Sequence, residues 1–178
     1  MHLVQPMSLC TLLSNCLETM RSFPMPKLPL RVCLATRADR DELIEHGTNF
    51  LAETGHNLPR HRVNVARTVD KVLEDGFIYT LSRAGCHNLI GYIGVLVDRD
   101  FLTGDMTAYE VAWYVVPEER KGSGGFRMLQ VAEAHAKAAG ATVMKMSALT
   151  VHVGRFLERR GYTPLQTTYT MPLIPESR

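Results

Sequence analysis

The stretch Tyr109–Gly140, YEVAWYVVPEERKGSGGFRMLQVAEAHAKAAG, decides the fold that we expect for this chain. It opens with Val111–Val116, an apolar run rich in β-branched and aromatic residues, which predicts a buried strand. Pro117 ends that strand, because proline has no N–H to donate to a sheet. Apolar residues then recur at helical spacing as far as Gly140, a typical helix-ending glycine: Phe126, Leu129, Ala132, Ala136 and Ala139.

A short glycine-rich loop with two positive charges joins this strand to the helix. It consists of Arg120, Lys121, Gly122, Ser123, Gly124 and Gly125. Small residues let backbone N–H groups approach a ligand closely, and a helix N-terminus adds partial positive charge. The loop therefore predicts a site for phosphate or pyrophosphate, and the alternative is an ordinary glycine-rich turn. It lacks the Gly-Lys-Ser/Thr of a Walker loop, and Arg127 interrupts the glycine pattern of dinucleotide-binding loops.

The same residues resemble the acetyl-CoA-binding motif of the GNAT superfamily of N-acetyltransferases. That motif is a strand ending in Val-x-Pro, followed by Arg/Gln-x-x-Gly-x-Gly/Ala at the start of a helix. Here Arg120 occupies the Arg/Gln position and Gly125 the last glycine, while Ser123 stands where the first glycine is usual. Trp-Tyr-Val before the proline is also similar to a GNAT subgroup common in bacteriophage genomes. The resemblance covers roughly residues 30–173.

The resemblance implies an α/β (α+β) fold with a mixed, mostly antiparallel central sheet and helices on both faces. In that fold the fourth and fifth strands splay apart. The order predicted from sequence patterns, β-α-α-β-β-β-α-β-α-β, agrees with it. The expected strands are Leu30–Ala35, Phe77–Leu81, Leu89–Val97, the run already described, Thr142–Ser147 and one or two pieces of Tyr162–Met171.

Helix signals fill the intervals between these strands. Thr36 with Asp39 predicts a cap for the first helix, and Gly161 predicts the end of the last one, which begins at Val151. The two helices after the first strand have apolar faces at helical spacing. These faces comprise Leu43, Ile44, Gly47, Phe50 and Leu51 in one helix, and Val65, Val69, Val72 and Leu73 in the other.

Acetyl-CoA is the acyl donor that the resemblance implies. Loop 120–125 would hold its pyrophosphate, and the backbone of Val115 and Val116 would pair with its pantetheine amides, as an added strand does. Phe126 and Thr150 complete the expected cofactor-binding residues, although Thr150 is also expected to cap the last helix. No metal is expected, because no set of histidines has zinc-binding spacing.

Acetyl transfer needs a neutral amine, and Glu110 is the carboxylate available on the fourth strand to act as general base. Burial would raise its pKa towards a useful value. The alternative is a solvated glutamate with a structural partner. Leu157 stands where the family often has a proton-donating tyrosine. Either the thiolate leaves without a dedicated acid, or Tyr162, Tyr114 or a water donates the proton; the alternative for Tyr162 is an aromatic residue that packs in the core.

Composition indicates one soluble domain, with 178 residues and a net charge of +2. That charge does not support nucleic acid as a partner, which would need a continuous basic face. The four cysteines show no C-x-x-C pair, so a reducing cytoplasm is expected, with Cys33 as a small buried residue. Residues 1–29 are predicted to form an extension, a short helix followed by a proline-rich linker, ahead of an acetyltransferase domain at 30–178.

The function predicted from the sequence is transfer of an acetyl group from acetyl-CoA to a primary amine. The acceptor is a protein lysine, a small amine or a modified nucleotide, and Arg60, His61 and Arg62 favour one that carries phosphate or carboxylate. A homodimer is one expected assembly, and no membrane partner is expected because no apolar run is long enough to cross a bilayer. The alternative is a non-catalytic module that acts through CoA or protein binding.

Overall fold

A computed structural model describes residues 28–54, 61–86 and 88–166 of the chain. Over these ranges the elements follow the predicted order as far as the last helix. The strands are β1 (Leu30–Leu34), β2 (Gly76–Arg83), β3 (Leu89–Arg99), β4 (Met106–Val115) and β5 (Val143–Lys145). The helices are α1 (Arg40–Glu53), α2 (His61–Asp75), α3 (Gly124–Ala138) and α4 (Val151–Arg159).

The strands form one sheet in the order β1-β2-β3-β4-β5. The first four pair antiparallel, and β5 pairs parallel to β4. That parallel pairing is short, since it joins only Thr107–Tyr109 to Val143–Lys145, whereas β4 continues to Val115. Beyond Tyr109 the two strands therefore diverge. The mixed sheet and the splayed fourth and fifth strands confirm the predicted fold class.

Helices cover both faces of the sheet, and each face has its own apolar core. The buried side chains of α1 and α2 pack with β2, β3 and β4 on one face, with Leu43, Ile44, Val65, Val69, Val72, Ile78 and Tyr92 among them. On the opposite face α3 and α4 contribute Met128, Leu129, Ala132, Ala136 and Leu157. The helical stripes predicted from apolar spacing thus become the two core-facing surfaces.

The predicted helix ends are confirmed. Thr36 and Asp39 form a capping box at the 3₁₀ turn Arg37–Asp39, which leads directly into α1. The Thr36 side chain accepts from the Ala38 N–H, and the Asp39 carboxylate accepts from the Thr36 N–H. Gly140 and Gly161 follow α3 and α4 with φ of +88° and +98°. Glycine adopts this left-handed conformation without the steric cost that a Cβ would add.

Three expectations from the sequence need correction or lie outside the described residues. Cys33 is exposed rather than buried, because Val32 packs against the α3 core and alternation directs Cys33 to the other face of edge strand β1. The fifth strand is shorter than predicted, since pairing with β4 ends at Lys145. Residues 162–166 form no strand, while 167–171 and the extension at 1–27 lie outside the described ranges.

Candidate active site

An extra residue in β4 shapes the site. Gly94 of β3 pairs with Ala112, but the next residue, Val95, pairs with Glu110, so Val111 is a β-bulge. The bulge resets the alternation of side chains along the strand. As a result, Ala108 before the bulge and Trp113 after it both pack against the α3–α4 core, although they are five residues apart.

Glu110 lies where the pairing between β4 and β5 has just ended. Its side chain is half-buried, and its Oε2 accepts a hydrogen bond of 3.0 Å from the Ser147 N–H. Burial raises the pKa of Glu110, and the bond from Ser147 opposes that rise because it stabilises the charged form. A carboxylate with a raised pKa, placed in a cleft, is a stronger base than an exposed glutamate and is suited to accept a proton from a substrate.

A cavity of about 280 Å³ surrounds this carboxylate. Its walls come from the end of α1, from β4 and from the segment that joins β5 to α4. The lining residues are Phe50, Leu51, Thr54, Glu110, Val111, Trp113, Ser147, Leu149 and Val153. Most of these side chains are apolar, which makes the environment of the carboxylate poorly solvating and accounts for the direction of its pKa.

The glycine-rich loop opens α3 as predicted. The Ser123 side chain makes no capping hydrogen bond, and the Arg127 N–H donates to the Ser123 carbonyl as the helix begins. The amides of Gly124, Gly125 and Phe126 precede that bond, so they belong to the helix N-terminus, whose N–H groups have no intrahelical acceptor. These donors, with the exposed Lys121 beside them, fit the binding of a pyrophosphate such as that of CoA.

Two neighbouring glycines of the loop have different surroundings. A Cβ on Gly124 would lie 2.3 Å from Leu81 Cδ2, so this residue is a glycine because α3 packs closely on β2. A Cβ on Gly125 would meet Trp113 at 3.4 Å and Val115 at 3.5 Å, which are ordinary contacts. Close packing of the helix therefore requires the absence of a side chain at Gly124.

Arg120 makes contacts that the motif did not predict. Its Nε donates to the Val115 carbonyl at 2.7 Å, and its Nη2 pairs with Glu53 Oε2 at 2.5 Å. The guanidinium also lies over the Tyr114 ring, 5.5 Å from the centroid, and the Tyr114 hydroxyl donates to Glu53 at 3.2 Å. Arg120 therefore ties the end of α1 to the end of β4.

The backbone of the two expected pantetheine-binding residues is partly engaged. The Val116 N–H donates to Ile90 O at 3.0 Å, and the Val116 carbonyl accepts from the Glu119 N–H at 3.0 Å. The adjacent pair, Val115 and Gly91, is consequently a non-hydrogen-bonded pair, and the polar groups of Val115 point away from β3. The Val115 N–H thus faces the side where β4 and β5 diverge.

Thr150 and Phe126 both have intramolecular contacts. Thr150 Oγ1 accepts from the Val153 N–H at 3.3 Å, which confirms the predicted cap of α4. The exposed Phe126 ring packs edge-on against Phe156, and Arg160 lies 4.9 Å above it.

The Tyr162 hydroxyl is bonded to α3. It donates to Glu133 Oε1 at 2.9 Å, and Arg160 Nε donates to the same oxygen at 2.8 Å. Burial and the Glu133 carboxylate both raise the pKa of Tyr162, because they disfavour its phenolate. Tyr162 also packs against the α3–α4 core and is not among the residues that line the Glu110 cavity. Its role as proton donor stays a prediction.

The structure adds residues that sequence patterns did not single out. Ser147 was expected at the end of a strand, but β5 ends at Lys145, which leaves the Ser147 amide to bind Glu110. Phe50 and Leu51 were expected as core residues of the first helix, and they line the cavity. No local signal marks these roles, because each depends on where β5 and α1 end relative to β4.

The sequence matches the acetyltransferase (GNAT) family over residues 45–162. The chain therefore belongs to this family of acetyltransferases. No curated protein matches it. Among the described residues no helix is long and apolar enough to cross a membrane, and no group of three or more His, Cys, Asp or Glu is placed to hold a metal ion.

Solved structures share the fold at low sequence identity. An acetyltransferase from Trypanosoma brucei is 14% identical with a TM-score of 0.64, covering 82% of this chain and 100% of its own. Glucosamine-6-phosphate N-acetyltransferase from Arabidopsis thaliana is 13% identical with a TM-score of 0.64, covering 82% and 99%. The aminoglycoside N-acetyltransferase AAC(6')-Iy in complex with CoA is 10% identical with a TM-score of 0.66, covering 84% and 98%.

Proposed function

We propose that this protein transfers an acetyl group from acetyl-CoA to a primary amine. The observation that carries the proposal is the position of Glu110, a partly buried carboxylate with a raised pKa at the point where β4 and β5 diverge. The anion-binding end of α3 begins on the same side of the sheet, beyond Val115 and Trp113. The proposed base and the proposed pyrophosphate site lie at different points along β4. This separation fits an acyl donor such as acetyl-CoA, in which a long linear arm connects the pyrophosphate to the thioester.

The donor is expected to lie along the open side of β4. The amides at the start of α3 and Lys121 hold the pyrophosphate, since both supply positive charge. The Val115 N–H, which points away from β3, donates to an amide carbonyl of the pantetheine arm. Structures of other family members that bind CoA are consistent with this choice of donor.

Glu110 acts on the acceptor. An alkylammonium ion entering the cavity loses a proton to the Glu110 carboxylate, and the neutral amine attacks the thioester carbonyl. The C–N bond forms as the C–S bond breaks, and the CoA thiolate takes up the proton that the attacking nitrogen then loses. The Ser147 N–H holds Glu110 at 3.0 Å and so fixes the position of the base.

Calorimetric titration with CoA and acetyl-CoA, followed by a thiol-release assay over a panel of primary amines, tests the proposal. We expect binding of both cofactors and release of thiol that depends on the amine. Glu110→Gln should keep CoA affinity and lower kcat by about 10²–10⁴-fold, the usual contribution of a general base. Glu118→Gln, the same change at an exposed residue, serves as the control.

Two results would contradict the proposal. If the folded protein does not bind CoA, the start of α3 is not a pyrophosphate-binding site. Binding without thiol release from any amine would favour the alternative, a non-catalytic module of the same fold.

A further inference from the structure

A second cavity, of about 330 Å³, lies between the helix pair α1–α2 and the sheet. Its floor is formed by β2, β3 and β4. Its lining residues are Gly47, Phe50, Leu51, Asn64, Val65, Thr68, Val69, Val72, Ile78, Tyr92, Gly94, Val111 and Ala112. The volume falls in the range of cavities that bind small molecules.

This cavity adjoins the one that contains Glu110. Phe50, Leu51 and Val111 line both. Val111 is the bulged residue of β4, and Glu110 precedes it directly. A molecule with its amine at Glu110 therefore has the second cavity as the adjoining space on the α1–α2 side.

The walls of the second cavity are apolar. Val69, Val72 and Ile78 are each at most 5% exposed, and none of the described residues that line the space carries a charge. The polar side chains of the lining are those of Asn64 and Thr68, which are both exposed, and of Tyr92. Charged or strongly hydrated groups would lose their solvation in such a space, whereas burial of a hydrocarbon group there would be favourable.

A missing side chain helps to create the space. A Cβ added to Gly94 would lie 3.6 Å from Val72 Cγ1 and 3.7 Å from Ile78 Cγ1, so a methyl group fits there in ordinary contact. By contrast, a Cβ on Gly47 would clash with Val65 at 2.7 Å. Gly94 is therefore the position at which volume can be added to the cavity without displacing its walls.

We propose that the acceptor is a small primary amine with an apolar chain or ring, which is buried in the second cavity while the amine faces Glu110. This inference rests on the proposed acetyl transfer and names the substrate class for the same site. It differs from the expectation based on Arg60, His61 and Arg62, which favoured an anionic acceptor. Residue 60 and the side chain of His61 lie outside the described part of the chain, and Arg62 is exposed.

Thiol release from a series of linear alkylamines, ethylamine to octylamine, tests the substrate class with the full chain. Each methylene group buried should raise kcat/KM about fourfold until the cavity is full. Ethanolamine and spermidine should be poor acceptors, because their polar groups would enter an apolar space. Release at equal rates across the series, or faster release with the polar amines, would overturn the inference and leave acetyl transfer in place.

Binding can be measured without turnover, because Trp113 is the single tryptophan of the chain and lines the first cavity. Titration with hexylamine should change its fluorescence, and Gly94→Ala should weaken that binding by about fourfold or more. Gly154→Ala is the matched control, since its Cβ would make only an ordinary contact of 3.7 Å with Ala148 and Gly154 lines neither cavity.

The two measurements separate failure of the inference from failure of the proposed function. Hexylamine binding that weakens in Gly94→Ala but not in Gly154→Ala supports the apolar acceptor site, even if no amine releases thiol. Hexylamine binding that is absent, or that is unchanged in Gly94→Ala, would overturn it, whatever the thiol-release assay shows.

Discussion

Replacing Gly124 by alanine should lower the stability of this protein, whereas the same change at the next residue, Gly125, should raise it. Both residues lie in the first turn of α3, within the loop that resembles the acetyl-CoA motif. A role in ligand approach alone would not distinguish them. Their surroundings do, because Gly124 is packed against β2 and Gly125 faces the open side of β4.

The contacts set the size of each effect. The Cβ at position 124 would lie 2.3 Å from Leu81 Cδ2, and Leu81 is only 1% exposed, so a close-packed core leaves it no room to move away. Overpacking of this kind costs about 1–3 kcal/mol. At position 125 the nearest atoms are at 3.4 Å and the backbone φ is not positive, so alanine should add about 0.4–1 kcal/mol by restricting the unfolded chain.

Urea unfolding, monitored by the fluorescence of Trp113, measures both changes. For a chain of this length each kcal/mol corresponds to about 2–4 °C in Tm, which thermal unfolding would check. Truncating the neighbour tests the cause, since Gly124→Ala should cost less in a Leu81→Ala background, with a coupling of about 0.5–3 kcal/mol. Equal effects at the two glycines, or additive effects of the double substitution, would refute the packing argument.

Four further outcomes follow from the site. The ascending limb of the pH–rate profile should lie above the usual range of a glutamate, because the pKa of Glu110 is raised, and Glu110→Gln should abolish that limb. For the same reason the unfolding free energy should fall as pH rises through the pKa of folded Glu110, and this fall should be missing in Glu110→Gln. Tyr162→Phe should cost about 0.5–1.5 kcal/mol of stability by removing the bond to Glu133, and unchanged thiol release in this variant would contradict a role for Tyr162 as proton donor. Thr150→Ala should cost about 1 kcal/mol by uncapping α4, and an unchanged urea midpoint would show that the bond to the Val153 N–H contributes nothing.

The features predicted correctly from the sequence are those that depend on short stretches of chain. Gly140 and Gly161 end helices because a left-handed residue is needed there, and this need depends only on the neighbouring turn. Thr36 and Asp39, which are three positions apart, form their capping box within one turn. The buried stripe of α2 likewise follows from helical periodicity.

The features missed depend on pairing between distant segments. At the bulge, Val111 is an extra residue of β4 between Glu110 and Ala112, which pair with the adjacent residues Val95 and Gly94 of β3. The continuous apolar run in β4 has no alternation that would reveal this extra residue. Arg120 was predicted to contact phosphate from its place in the motif. Its ion pair with Glu53 joins residues 67 positions apart, and no sequence pattern relates them.

The bulge and the short β5 together place two adjoining cavities on either side of Val111, the residue after Glu110. Pairing of β4 with β5 ends at Tyr109, and the bulge in β4 follows within two residues. The sheet is therefore open on its β5 side at the point where β4 is also distorted. Val111 packs against the α1–α2 core, while Trp113 packs against the α3–α4 core. A ligand in this opening would contact both faces of the sheet, which fits our proposal that the α3 side binds the acyl donor while the α1–α2 side selects the amine.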